Sequence, residues 1–148
     1  MAYSLTTSTY AALAACAAAI LTAGPSFSDD AVNAGELASL PVLSEVAPDA
    51  IQISPHVPRM GQHWANPENL PGGPIYCEIE GRVTCVEYMV EMADLEAGTD
   101  WTGLVPGIET PPISHVDIEF KPDGIEPNPV PLYQIHIFFA SQATLAEH

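Results

Sequence analysis

Positive charge is almost absent from this chain: Arg59, Arg82 and Lys121 are its only Lys or Arg side chains in 148 residues, against 19 Asp and Glu, for a formal net charge of −16. That imbalance repels phosphate backbones and anionic headgroups, which excludes nucleic acid as a partner. It favours cationic partners, metal ions included, and serves equally as the solubilising surface of an acidic secreted protein. Long apolar runs are missing after residue 28, where nothing approaches the roughly 20 continuous apolar residues of a bilayer span. No membrane span is expected in the mature chain. Also lacking are a Gly-x-Ser-x-Gly elbow, a P-loop, a dinucleotide-binding glycine turn and a His-Glu-x-x-His helix. The common hydrolase and nucleotide chemistries drop out with them, and whether the protein is an enzyme stays open.

What the N-terminus does contain is an Ala-rich apolar stretch, Ala11 to Gly24, followed by Ser26-Phe27-Ser28 with small residues at the two positions a signal peptidase reads. Residues 1–28 therefore read as a signal peptide, although they carry no Lys or Arg, and the mature protein is expected to begin at Asp29 in the periplasm or outside the cell. Leu13-Ala-Ala-Cys16 also resembles a lipobox, which would lipidate Cys16. The few residues ahead of that cysteine and the apolar run beyond it argue against a lipoprotein. About 120 residues remain, the size of one domain with one core.

Residues 29–50 show weak periodicity and few large side chains, and read as a flexible leader. Residues 51–148 read as a single β-rich domain, because short apolar runs are broken there by Pro, Gly and Asn. Pro74–Ile79 and Val83–Met89 form a hairpin in this reading. A connection of three residues, Glu80-Gly81-Arg82, sets Cys77 opposite Cys85 on one face, where a disulfide is expected; a two-residue turn would put them on opposite faces. A short helix follows to Gly98, two more strands span Ile113–Phe120 and Leu132–Ala140, and Ser141 caps a small helix. The fold class is β-rich α+β, a small antiparallel sheet or barrel-like sandwich with one or two short helices.

Strand alternation places His115, Asp117 and Glu119 on one face and Val116, Ile118 and Phe120 on the other. In the last strand Tyr133, Ile135, Ile137 and Phe139 leave Gln134 and His136 opposite them. If the two strands pair antiparallel with apolar faces matched, His136 joins His115, Asp117 and Glu119. Imidazoles and carboxylates together suit a divalent transition metal, Zn or Cu; the same pattern also describes a solvated outer face. The loop Pro55–Pro67 holds His56, Met60, His63 and Trp64, where Met with His suits copper, and where Met60 and Trp64 serve equally as core plugs.

The succession Met60-Gly-Gln-His63-Trp64, Gly73-Pro-Ile-Tyr76, Glu87-Tyr-Met89, Pro111-Pro-Ile-Ser-His-Val-Asp117 and Val130-Pro-Leu-Tyr-Gln-Ile-His136 resembles a bacterial domain of unknown function. That family takes its name from a Thermus thermophilus protein controlled by an extracytoplasmic-stress sigma factor and its anti-sigma partner. The resemblance implies an exported β-rich homo-oligomer without an established activity, and adds His63 and Glu87 to the candidate ligands. Ile125, Leu132 and Gln134 stand where the family's pattern has polar ligands, which leaves His63, Glu87, His115, Asp117 and His136 as the residues that fit. Three functions compete: a protein binding a metal ion or small molecule through the His and carboxylate cluster, a metal-dependent enzyme using that cluster, and a structural homo-oligomer without a ligand.

Overall fold

The computed structural model describes residues 29–148; the expected signal peptide and Cys16 lie outside them. In chain order the elements are α1 (Asp29–Ser39), α2 (Leu43–Val46), β1 (Ile51–Gln52), β2 (Gln62–Ala65), β3 (Ile75–Ile79), β4 (Arg82–Glu91), α3 (Met92–Ala97), β5 (His115–Lys121), β6 (Leu132–Phe138) and α4 (Gln142–Leu145). The six strands form one antiparallel sheet in the order β1-β2-β3-β4-β6-β5, so β6 inserts between β4 and β5. The chain is thus a small α+β protein, one sheet with a few short helices. No helix among the described residues is long and apolar enough to cross a membrane.

The β3–β4 turn differs from the three-residue expectation. Ile79 pairs with Arg82 across only Glu80 and Gly81, both at positive φ (51° and 79°), the conformation that matches strand twist in a two-residue hairpin. Left unbroken, that register would set the two cysteines on opposite faces. Instead a bulge intervenes: Glu78 pairs with Val83 while Cys77 pairs with Cys85, which leaves Thr84 as the extra residue. The Thr84 hydroxyl donates to the Cys77 carbonyl at 3.3 Å, and the cysteines are bridged with their Cα atoms 5.0 Å apart.

Residues 29–50 are not a loose leader. Leu37, Leu40 and Leu43 from the α1–α2 segment are buried in one cluster with Cys77, Cys85, Phe138 and Leu145. The Glu36 carboxylate accepts hydrogen bonds from the Ser141 backbone N–H (3.0 Å) and from the Ser141 and Thr144 hydroxyls, tying α1 to α4. Ser141 also accepts from the Thr144 N–H at 3.3 Å, the expected cap of α4.

Directly opposed residues of an antiparallel sheet share a face. One row therefore runs Ala65, Ile75, Glu87, His136, Asp117, and the adjacent row His63, Cys77, Cys85, Phe138, His115. This polar-bearing face is buried near its centre, with Glu87 2 % and His136 0 % exposed, and so is the opposite face there, at Val86 and Tyr88. On the opposite face Val116, Ile118 and Phe120 are 49, 66 and 47 % exposed, because β5 is an edge strand with nothing packed over its apolar side among the described residues.

Candidate metal centre

Three strands deliver the centre. His63 comes from β2, a strand of four residues inside the segment the sequence presents as a Pro- and Gly-controlled loop. It is launched by a tight turn in which Val57 and Gly61 exchange backbone hydrogen bonds of 2.7 and 2.8 Å. Gly61 has φ +76°, and a Cβ there would collide with the Glu78 carbonyl, so only glycine fits. Glu87 lies in β4, whose ten residues are almost wholly buried, and His136 lies opposite it in β6.

Glu87 Oε2 is 3.6 Å from His63 Nε2 and 3.7 Å from His136 Nε2, and one ligand atom from each of the three residues lies within 4.8 Å of the others. Both flanking contacts orient these atoms. The Ser54 hydroxyl lies 2.9 Å from both the Pro55 carbonyl and His63 Nδ1, and its single proton serves one of them; given to Pro55, it leaves Oγ to accept from Nδ1–H. In that arrangement the proton of neutral His63 sits on Nδ1 and the Nε2 lone pair faces Glu87, the tautomer that ligation through Nε2 requires. On the carboxylate, Oε1 accepts from Gln134 Nε2 at 2.7 Å, which leaves Oε2 turned to the two imidazoles. Gln134 thus orients a candidate ligand instead of supplying one.

His136 is the anomaly. Its side chain is wholly buried, yet neither ring nitrogen has a hydrogen-bond partner among the described residues. Leaving such a group unsatisfied costs about 1–3 kcal/mol, and buried polar groups are almost always paired. An ion between the three residues would partner Nε2 and so remove half of the deficit, leaving Nδ1–H without a partner among the described residues. Burial holds the His63 pKa below its ordinary value; the Glu87 carboxylate opposes this shift and His136 adds to it. A depressed pKa keeps the imidazole neutral, the form that binds metal.

The remaining candidates do not converge. His115 shares the face but stacks on Phe138 (ring centroids 4.5 Å apart) and contacts Ser114 Oγ at 3.2 Å, outside the three-residue group. The expectation that three histidines meet is corrected accordingly: β6 lies between β5 and β4, so His115 sits on the far strand. Asp117 pairs in register with His136 but remains part-exposed and outside the group as well. Glu119 is engaged by Lys121 at 2.6 Å. That hydrogen bond lowers its pKa, against a smaller opposing effect of burial. His56 is exposed and reaches the His148 carbonyl at 2.8 Å. Met60 and Trp64 pack against the core, and Trp64 Nε1 donates to Glu78 at 3.3 Å.

A cavity of about 580 Å³ adjoins the group, with His63, Glu87 and Gln134 in its wall. With an ion bound, three protein ligands beside an open space would leave a coordination position free, in contrast to the closed four-ligand sites of purely structural zinc.

No protein-family model and no curated protein matches the chain. Among solved structures it is similar to the hypothetical protein TTHB210 from Thermus thermophilus, at 24 % identity and a TM-score of 0.51, over 62 % of this chain and 91 % of that one. The likeness concerns the fold and is consistent with an uncharacterised family.

Proposed function

We propose that this is an exported protein that holds a divalent transition ion, zinc or copper, through His63 Nε2, Glu87 Oε2 and His136 Nε2. The observation that carries the reading is the fully buried His136 with both nitrogens unpartnered, beside a carboxylate and an imidazole that other residues hold in a ligand-ready orientation. Two-imidazole, one-carboxylate sets serve Zn and Fe(II) alike, and Met60 on the cavity wall adds a soft donor that suits copper. Export is supported by the Cys77–Cys85 bridge, since such bonds persist in oxidising compartments. Control by envelope stress rests on the motif resemblance alone. Elemental analysis of the untagged mature protein tests the reading. Stoichiometric metal that is lost in a His136→Ala variant supports it; a protein that takes up no metal and gains no thermal stability from added Zn or Cu overturns it.

The open position beside the cavity favours a metal-dependent enzyme as the second reading. Turnover that requires the ion and survives replacement of the distant His56 would support it. The structural homo-oligomer finds its support elsewhere, in the exposed Val116, Ile118 and Phe120 on edge strand β5. Light scattering of the wild type and of an Ile118→Lys variant decides that reading.

A further inference from the structure

The cavity beside the His63–Glu87–His136 group has walls of a different character from the group itself. Apolar side chains, Ile53, Val57, Met60, Leu70, Ile75 and Met89 among them, supply most of its lining, and its volume of about 580 Å³ falls in the usual range for small-molecule sites. The polar side chains that share this lining are largely committed elsewhere. Lys121 is held by Glu119 at 2.6 Å, Asn128 donates to Glu91 at 3.1 Å, Gln134 donates to Glu87, and Ser54 is engaged by His63 and Pro55. What is left to anchor an anion is the open position on the ion, with the two Lys121 donors that Glu119 does not use.

Charge then selects the ligand. A divalent ion held by one carboxylate and two neutral imidazoles keeps one net positive charge, and an uncompensated charge against apolar walls is costly. A single anionic oxygen donor neutralises it. Outside the ion group Glu126 and Lys121 are the only charged side chains among the described residues of a mostly apolar lining and they are opposite in sign, so the body of the ligand should be apolar. We propose that the cavity binds a monocarboxylate with an apolar tail, its carboxylate on the ion and its tail along Ile53, Leu70 and Met89. The proposal rests on the metal reading above.

The test uses the full mature chain with its disulfide intact, loaded with cobalt(II), whose visible bands report ligand exchange. Octanoate and acetate are titrated separately. Fully burying the six further carbons of octanoate supports an affinity gain of about a thousandfold or more over acetate. Leu70→Ser and Ile53→Ser alter side chains that are each 37 % exposed, so the fold should survive. Each should weaken octanoate about tenfold while leaving acetate binding and the cobalt spectrum unchanged. If cobalt binds but octanoate is no tighter than acetate, or if octanoate binds the metal-free protein equally well, the proposal fails and the metal centre stands. If cobalt does not bind, both fail.

Discussion

Gln134 Nε2 donates to Glu87 Oε1 at 2.7 Å, and both side chains are buried. This contact fixes which carboxylate oxygen faces the two imidazoles, so Gln134 should tune the ion without touching it. Replacing it with Leu is expected to weaken metal binding about 10- to 100-fold while the fold, read by circular dichroism, persists. Unchanged affinity in Gln134→Leu would mean that Glu87 does not ligate through Oε2.

His136 separates stability from function. Its unpartnered nitrogens penalise the metal-free fold, so His136→Leu should leave the metal-free protein as stable as the wild type or stabilise it by about 1–3 kcal/mol. The same variant should lose the rise in Tm that metal gives the wild type. A metal-free His136→Leu protein that unfolds well below the wild type would show that the imidazole is structural.

The α1–α2 segment makes a third prediction, because its regularly spaced leucines dock on the sheet. Leu37, Leu40 and Leu43 recur every three residues and are all buried, a signal present in the sequence but obscured by the small residues around it. Burial by itself raises the Glu36 pKa; the hydrogen bonds from the Ser141 hydroxyl, the Thr144 hydroxyl and the Ser141 N–H outweigh it and hold the carboxyl below its ordinary range. A carboxyl with a depressed folded pKa stabilises above its unfolded pKa of about 4.3, and that contribution disappears as pH falls through the folded value. Glu36→Gln should therefore be less stable than wild type at pH 7, with the gap closing at acid pH. A gap that stays constant from pH 7 to pH 3 would remove the ionic part of this clamp.

The hairpin shows how far local pattern reaches. Opposed cysteines were legible from composition and spacing, but the reason is a two-residue turn corrected by a bulge at Thr84, and bulges leave little local signature. Alternation likewise placed His115, Asp117 and His136 on one face, as the register has it. It could not give distance, because the insertion of β6 between β4 and β5 is a property of the whole sheet. Nor could it say which face is covered, since that depends on what packs above each strand. For the bridge itself, the expected outcome is no thiol titratable at Cys77 or Cys85 without reductant, and a loss of about 2–3 kcal/mol in Cys77→Ala/Cys85→Ala. Two reactive thiols in the native protein would contradict it.

The last prediction concerns pH and follows from His63. Its folded pKa is depressed by burial, with Glu87 opposing the shift and His136 adding to it. The unfolded chain therefore takes up a proton near pH 6.5 while the native imidazole is still neutral. Stability of the metal-free protein should fall as pH drops below about 6.5 and level off once the native imidazole also protonates. Metal occupancy excludes the proton, so the affinity should hold down through pH 6.5 and decline only below it. His63→Ala should abolish both the metal-induced rise in Tm and its pH dependence. Ser54→Ala, which removes the hydroxyl that faces Nδ1 and also accepts from the His63 backbone N–H at 3.1 Å, should keep the ion but bind it about 10- to 100-fold more weakly. If Ser54→Ala binds as tightly as wild type, the tautomer assigned to His63 is not what prepares Nε2 for the ion.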